Sequence, residues 1–211
     1  MVSIDGIEVL TELEEVISPS HTALLVIDFQ GNWTAGSAPA EAVVANVAAV
    51  LDSARTAAVR VIYTVNVHLP RHQSISGPCL RRLLKGGYKP GEDPIPYRAD
   101  PGNVKITPAI APIQDERVIG KYRANAFMGT DLDVILRSSG IKSLVLVGRA
   151  SDWCLEATLW NAIDRDYYTL VLEDCVHSAR QAGHRAALEQ MRVTSEVAKS
   201  TDVIAIWDER S

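Results

Sequence analysis

Short apolar runs rich in Val, Ile and Leu recur along the chain, separated by longer stretches with helical periodicity. Such runs are typical of buried parallel strands, and the stretches between them are typical of helices that cover a sheet. We expect strands at residues 23–28, 60–65, 117–119, 143–148 and 168–172, and a weaker one at 196–199. The alternation predicts an α/β fold, a three-layer α/β/α sandwich around a doubly wound, mainly parallel, six-stranded sheet.

Helices are predicted at residues 39–57, 130–140, 152–164 and 180–192. Residues 66–112 interrupt the pattern, because this segment is rich in proline and glycine and carries no sustained apolar period. Long irregular segments in a compact domain usually serve a binding site. We therefore expect a single domain over residues 1–211, with an irregular, pocket-forming insertion at about 66–112.

The charge balance excludes several classes of partner. The chain has 21 Lys and Arg against 26 Asp and Glu, a net charge of −5, and no basic block. Phosphate backbones and anionic bilayers attract basic surfaces, so we expect no nucleic-acid partner and no membrane contact. No apolar run approaches the ~20 residues of a membrane span, and the acidic start does not resemble a signal peptide. A cytoplasmic location is expected.

Charged or nucleophilic residues follow three of the predicted strands. Asp28 comes after the first strand, Lys121 after the third, and Cys154 lies at the start of the helix after the fourth. Ligands of doubly wound sheets bind beyond the carboxyl ends of the strands, so an acid, an amine and a thiol should meet there. The competing interpretation is structural: Asp28 and Lys121 would form an ion pair, and Cys154 would be a packed thiol. Three such residues at neighbouring strand ends favour a catalytic site.

These residue types suit nucleophilic catalysis. A helix start and an ammonium group both favour a thiolate, so Cys154 is predicted to be more acidic than a free cysteine, with its pKa of ~8.5. Asp28 would be the general base and Lys121 would keep it ionised. Backbone N–H groups at the helix start, including that of Cys154, would form an oxyanion hole. The other thiols, Cys79 and Cys175, show no comparable setting, and the three spacings fit no disulfide framework.

Three stretches of sequence resemble the isochorismatase-like cysteine hydrolases. They are TALLVIDFQ, GKYRANAFMGTDLDVILRSSGI and LVLVGRASDWCLEATLWNAIDRDY followed by VLEDC, and the resemblance runs from about Pro19 to Trp207. The family includes nicotinamidases, carbamoylsarcosine amidase, biuret hydrolase, ureidoacrylate amidohydrolase and isochorismatase. The resemblance implies an Asp, Lys, Cys triad at Asp28, Lys121 and Cys154, a cis peptide between Arg149 and Ala150, and an oxyanion hole of the Ala150 and Cys154 amides. It also implies a homo-oligomer.

Departures from the family pattern concern a metal and the substrate. Metal-binding relatives have Asp-x-His after the second strand, where this chain has Asn66-Val67-His68 with His72 nearby. Without the carboxylate, we expect no metal and no other cofactor, and nicotinamide is disfavoured as substrate. Arg149, Trp153 and Trp160 are also unusual for the family. The substrate pocket is predicted to include a set of residues beside the triad, namely Trp33, His68, Tyr122, Arg123, Phe127, Arg149 and Trp153.

A thiol nucleophile points to cleavage of a C–N bond, because the vinyl-ether chemistry of isochorismatase needs no cysteine. The sequence therefore predicts a hydrolase that cleaves an amide, ureido or carbamoyl bond of a small molecule through a covalent acyl-enzyme. One alternative is a cyclic amide (lactam) hydrolase, which the long insertion would permit. The other is a small-molecule-binding protein without turnover, suggested by Arg149, Trp153 and Trp160.

Overall fold

The computed structural model describes residues 1–31, 37–69, 73–85, 87, 89 and 104–210. Its strands within that part of the chain are β1 (Val2–Ile4), β2 (Ile7–Val9), β3 (Thr22–Ile27), β4 (Arg60–Asn66), β5 (Arg117–Lys121), β6 (Ser143–Arg149), β7 (Tyr168–His177) and β8 (Glu196–Ala198). The first two form a separate antiparallel hairpin. The other six form one sheet in the order β5-β4-β3-β6-β7-β8, and every neighbouring pair is parallel.

Helices cover both faces of this sheet. They are α1 (Leu13–Val16), α2 (Ala38–Thr56), α3 (Gly77–Lys85), α4 (Leu132–Ser138), α5 (Glu156–Ile163), α6 (Gln181–Thr194) and α7 (Ser200–Asp208). Successive residues of a strand point to opposite faces, so Leu24 packs with α2 and α7 while Leu25 packs with α4, α5 and α6. Each face thus has its own apolar layer, which explains the continuous apolar runs in the sequence. The predicted α/β/α sandwich is confirmed.

The order of strands reverses between β3 and β6. From β3 the chain proceeds outward through β4 to β5, then returns to place β6 on the other side of β3. The two segments that leave this switch point carry Asp28 and Cys154. A crevice opens at such a point because the two connections diverge to opposite faces, and this is where doubly wound folds bind ligands.

Several described elements were not predicted from the sequence. The β1–β2 hairpin, α1 and α7 lie outside the predicted elements, and α3 falls within residues 66–112, which were expected to be irregular. The last helix depends on a distant contact, since the fully buried Trp207 donates from Nε1 to the carbonyl oxygen of Ile17 at 2.9 Å. Along the described chain, none of the helices is both long enough and apolar enough to span a membrane.

Candidate active site

Asp28 and Lys121 form a buried ion pair at the carboxyl edge of the sheet. Asp28 directly follows β3 and has a φ of 59°, a left-handed conformation that Asp tolerates better than most residues. Its Oδ2 lies 2.8 Å from Nζ of Lys121, the last residue of β5, and both side chains are shielded from solvent. Two buried charges at this distance compensate each other, which a lone buried carboxylate could not do.

Residues of the intervening strand β4 complete this ion pair. Asn66, the last residue of β4, donates from Nδ2 to Asp28 Oδ2 at 2.6 Å and accepts from Lys121 Nζ at Oδ1 at 2.9 Å. Thr64 donates its hydroxyl to Asp28 Oδ1 at 3.3 Å. Lys121 also donates to the carbonyl oxygen of Arg123 at 3.1 Å. The polar atoms of the pair are therefore satisfied within the protein.

Cys154 lies beside this ion pair. It belongs to a single π-helical turn, Ser151–Leu155, which connects β6 to α5. Its side chain is buried, and the thiol is near enough to the side chains of Asp28 and Lys121 for both to act on its pKa. The structure thus brings the three residues predicted from strand ends into one cluster.

The predicted acidity of Cys154 was wrong. Burial raises the pKa of the thiol to about 12, and the negative charge of Asp28 acts in the same direction; Lys121 opposes both but does not outweigh them. The prediction took account of the ammonium and the helix start, which lower the pKa of a thiol. It did not take account of burial or of the nearby Asp28 carboxylate, which raise it. Cys154 therefore rests as a thiol beside the ion pair.

The turn that carries Cys154 is attached to the start of α6. Asp152 forms an ion pair with Arg180, in which its Oδ2 lies 2.9 Å from Nε. Burial alone would raise the pKa of Asp152, but hydrogen bonds from Ser178 and Arg180 outweigh it and lower that pKa. The hydroxyl of Ser151, the first residue of the turn, shares a hydrogen bond of 2.7 Å with Nδ1 of His184.

The backbone just before this turn has an unusual form. The peptide bond between Arg149 and Ala150 is cis. The carbonyl oxygen of Ala150 accepts hydrogen bonds from the backbone N–H groups of Trp153 at 3.0 Å and Leu155 at 3.2 Å. These two bonds close the turn on either side of Cys154 and hold its backbone in place.

Comparison with known proteins identifies the family. The family model described as Isochorismatase domain matches residues 22–202. The chain belongs to the isochorismatase family. It is 29% identical over 177 residues to the ureidoacrylate amidohydrolase RutB of Rhizobium rhizogenes, a match that covers 76% of this chain and 72% of that protein.

Solved structures of other proteins share this fold. A cysteine hydrolase from Pseudomonas syringae pv. phaseolicola superposes with a TM-score of 0.77 at 24% identity, over 93% of this chain and 96% of that one. The N-carbamoylsarcosine amidase from Thermoplasma acidophilum gives a TM-score of 0.67 at 26% identity, over 85% and 96% of the two chains. The fold of this family member is thus that of its relatives across most of its length.

Of the predicted pocket residues, His68, Tyr122 and Arg123 lie near the end of β5. His68 is half-buried, and its Nδ1 hydrogen-bonds with the hydroxyl of Ser74 at 3.2 Å. Arg123 donates from Nη1 to the carbonyl oxygens of Ser74 at 3.0 Å and Tyr122 at 2.7 Å. These bonds tie His68 and Ser74 to the segment that follows Lys121.

The other predicted pocket residues do not share one location in the structure. Phe127 is buried in the core, where its ring stacks on Tyr167 with centroids 6.1 Å apart. Arg149 is half-buried at the end of β6, and Trp153 is 47% exposed beneath the guanidinium of Arg180. Trp33 and His72 lie outside the described residues.

Asn66 and Asp152 are site residues whose contacts the sequence did not reveal. Asn66 was considered only as a position where relatives bind metal, and Asp152 was not singled out. The available signal was their location, since each stands at or just beyond a strand end on the functional edge. Among residues 1–31, 37–69, 73–85, 87, 89 and 104–210, no three His, Cys, Asp or Glu side chains converge as a metal site would require.

Proposed function

We propose that this chain hydrolyses the C–N bond of a small amide, ureido or carbamoyl compound, with Cys154 as the nucleophile. The observation that carries the proposal is the buried contact of the Cys154 thiol with a carboxylate that is itself paired to Lys121. A base within reach of a thiol is what an activated cysteine requires. The names of similar proteins, a ureidoacrylate amidohydrolase and an N-carbamoylsarcosine amidase, support this class of substrate.

The reaction begins with a thiol because burial keeps the sulfur protonated at neutral pH. As Sγ attacks the carbonyl carbon, its proton passes to Asp28, and the carbonyl oxygen becomes an oxyanion. The amides of Ala150 and Cys154 would donate hydrogen bonds to that oxygen. When the C–N bond breaks, Asp28 returns the proton to the leaving nitrogen, which leaves a thioester on Cys154.

Water completes the cycle. Asp28 takes a proton from water while the hydroxide portion adds to the thioester carbon, and the C–S bond then breaks. The proton on Asp28 restores the thiol, and the acid is released. Lys121 remains an ammonium throughout and stabilises the carboxylate form of Asp28 between proton transfers.

A substrate panel with two variants tests the proposal. Ureidoacrylate, biuret, carbamoyl amino acids, nicotinamide and lactams would be screened for release of ammonia or amine. Cys154→Ala should lower turnover of any accepted compound by at least about 10³-fold, since the covalent route is removed. Cys79→Ala is the matched control, because Cys79 is a half-exposed cysteine on α3, and it should retain full rate.

Intact-mass spectrometry after rapid acid quench should show the acyl adduct on wild type and none on Cys154→Ala. Full activity in Cys154→Ala would contradict the proposed nucleophile. Ring opening of a lactam as the preferred reaction would favour the cyclic-amide alternative, and binding without turnover would favour an inactive member. Catalysis without a metal or other cofactor, assembly as a homo-oligomer and a cytoplasmic location stay predictions.

A further inference from the structure

The side chain of Asn66 lies between the two charges of the ion pair. Its Nδ2 donates to Asp28 Oδ2 at 2.6 Å, and its Oδ1 accepts from Lys121 Nζ at 2.9 Å. The amide orientation is unambiguous, because the reversed amide would point NH₂ at an ammonium and oxygen at a carboxylate. Bonds to charged partners are the strong ones, so this amide is held firmly at both ends.

The backbone of Asn66 is fixed by separate contacts. Gln30 donates from Nε2 to the carbonyl oxygen of Asn66 at 2.9 Å, and its Oε1 accepts from the backbone N–H of Asn66. Residue 66 also pairs with Lys121 in the register of β4 and β5. Because these contacts use the backbone, a change of side chain at position 66 leaves the strand end in place.

The two oxygens of Asp28 have different surroundings. Oδ2 accepts a hydrogen bond of 2.6 Å from Asn66 and lies 2.8 Å from the ammonium of Lys121, whereas the bond that Oδ1 accepts from the Thr64 hydroxyl is long, at 3.3 Å. An oxygen that accepts a strong bond and also contacts a cation is the weaker proton acceptor. Oδ1 is therefore the oxygen suited to receive the thiol proton of Cys154.

We infer that Asn66 is a positioning residue, which commits Asp28 Oδ2 to the ammonium and leaves Oδ1 as the proton acceptor. The inference rests on the proposed function for its meaning in catalysis. A purely structural Asn66 would stabilise the fold without affecting proton transfer. The two roles differ in what happens when the amide is replaced by a carboxylate of the same shape.

Asn66→Asp keeps the size of the side chain and removes the donor to Asp28. The new carboxylate repels Asp28 and competes for Lys121, so a proton remains on the carboxylate pair to higher pH. We expect kcat to fall about 100-fold, the scale of a general-base contribution, with KM within about twofold. The acid limb of the kcat/KM profile should move to higher pH by about one unit.

A second readout requires no substrate. The added negative charge should disfavour the thiolate of Cys154, so alkylation by iodoacetamide at pH 9–10, followed by peptide mass spectrometry, should be about tenfold slower. Asn66→Ser removes the bridge without adding charge and should reduce kcat about tenfold with a smaller shift of the limb. The matched control is Asn46→Asp. Asn46 is half-buried, and its side-chain amide donates to the carbonyl oxygen of Asp174 at 2.9 Å, away from Cys154.

The outcomes separate this inference from the proposed function. Unchanged alkylation and an unchanged acid limb in a folded Asn66→Asp protein would overturn the positioning role. Equal effects in Asn46→Asp would also overturn it, because they would show a general loss of stability. If Asn66→Asp does not fold, Asn66→Ser decides by the same two readouts. If wild type hydrolyses no compound of the panel, the proposed function fails, and the alkylation rates alone decide the role of Asn66.

Discussion

The two sides of the candidate site lie on one edge of one sheet but are held in place differently. The base side consists of Asp28, Asn66 and Lys121, at the ends of β3, β4 and β5, and polar contacts between buried groups fix it. The nucleophile side is the turn Ser151–Leu155 with the start of α6, and close approach of backbone fixes much of it. A buried charge is stabilised by a partner of opposite charge, whereas this turn requires that no side-chain atoms lie at the positions where backbone segments approach closely.

Two glycines provide that space. Gly148 has a φ of 145°, and a Cβ there would lie 2.3 Å from the carbonyl oxygen of Ile27. A Cβ on Gly183, in the first turn of α6, would lie 2.2 Å from Oδ2 of Asp152. The first contact is with backbone and cannot relax without moving β3 or β6. The second contact is with the carboxylate of Asp152, which forms an ion pair with Arg180. That carboxylate can move, so the second contact can be relieved in part.

The two sides should therefore respond differently to substitution. Loss of a partner on the base side leaves a buried charge uncompensated and lowers the free energy of unfolding. Loss of space on the nucleophile side displaces the backbone that presents Cys154. The following substitutions test this difference, and the expected effects decrease in size.

Lys121→Met should have the largest effect, because it leaves the carboxylate of Asp28 buried without its ammonium. Breaking a buried ion pair by removing one partner costs about 3–5 kcal/mol, so urea unfolding should show a large loss of stability. Arg117→Met, at the other end of β5, is the control. Its exposed ion pair with Asp131 contributes at most about 1 kcal/mol. Equal losses in the two variants would mean that burial does not distinguish the base side.

Gly148→Ala should have the next largest effect. The new methyl group meets backbone of β3, and alanine is also strained at this φ, so we expect a loss of about 3 kcal/mol together with loss of turnover. Gly77→Ala is the matched control, because nothing lies within 4 Å of a Cβ there. Thermal unfolding of both proteins measures the difference. A stable Gly148→Ala protein would show that the sheet accommodates the methyl group.

Gly183→Ala should affect activity more than stability. Alanine favours the helix by about 0.5–1 kcal/mol over glycine, which offsets part of the cost of moving Asp152. Displacing the turn that presents Cys154 should lower kcat roughly tenfold, because small misplacements of reacting groups are costly. The measurement is kcat beside the melting temperature. A parallel loss of both would refute the separation of the two effects.

Much of the fold followed from the one-dimensional pattern. The six strands of the central sheet were predicted, as was the reversal of strand order that defines a doubly wound sheet, because buried parallel strands are continuous apolar runs. The β1–β2 hairpin and α7 were not. They are short, and α7 is held by a contact between residues as distant as Trp207 and Ile17, which local periodicity does not reveal.

The candidate site was likewise predicted only in part. That Asp28, Lys121 and Cys154 come together was predictable from their positions in the sequence, because the ends of parallel strands share one edge of the sheet. The raised pKa of Cys154 depends on three-dimensional packing, since burial and a carboxylate that follows another strand outweigh the ammonium. The bridge that Asn66 forms across the ion pair depends on the same packing. Solvent exclusion and hydrogen-bond partners depend on residues far apart in the chain, and no local pattern of residues encodes them.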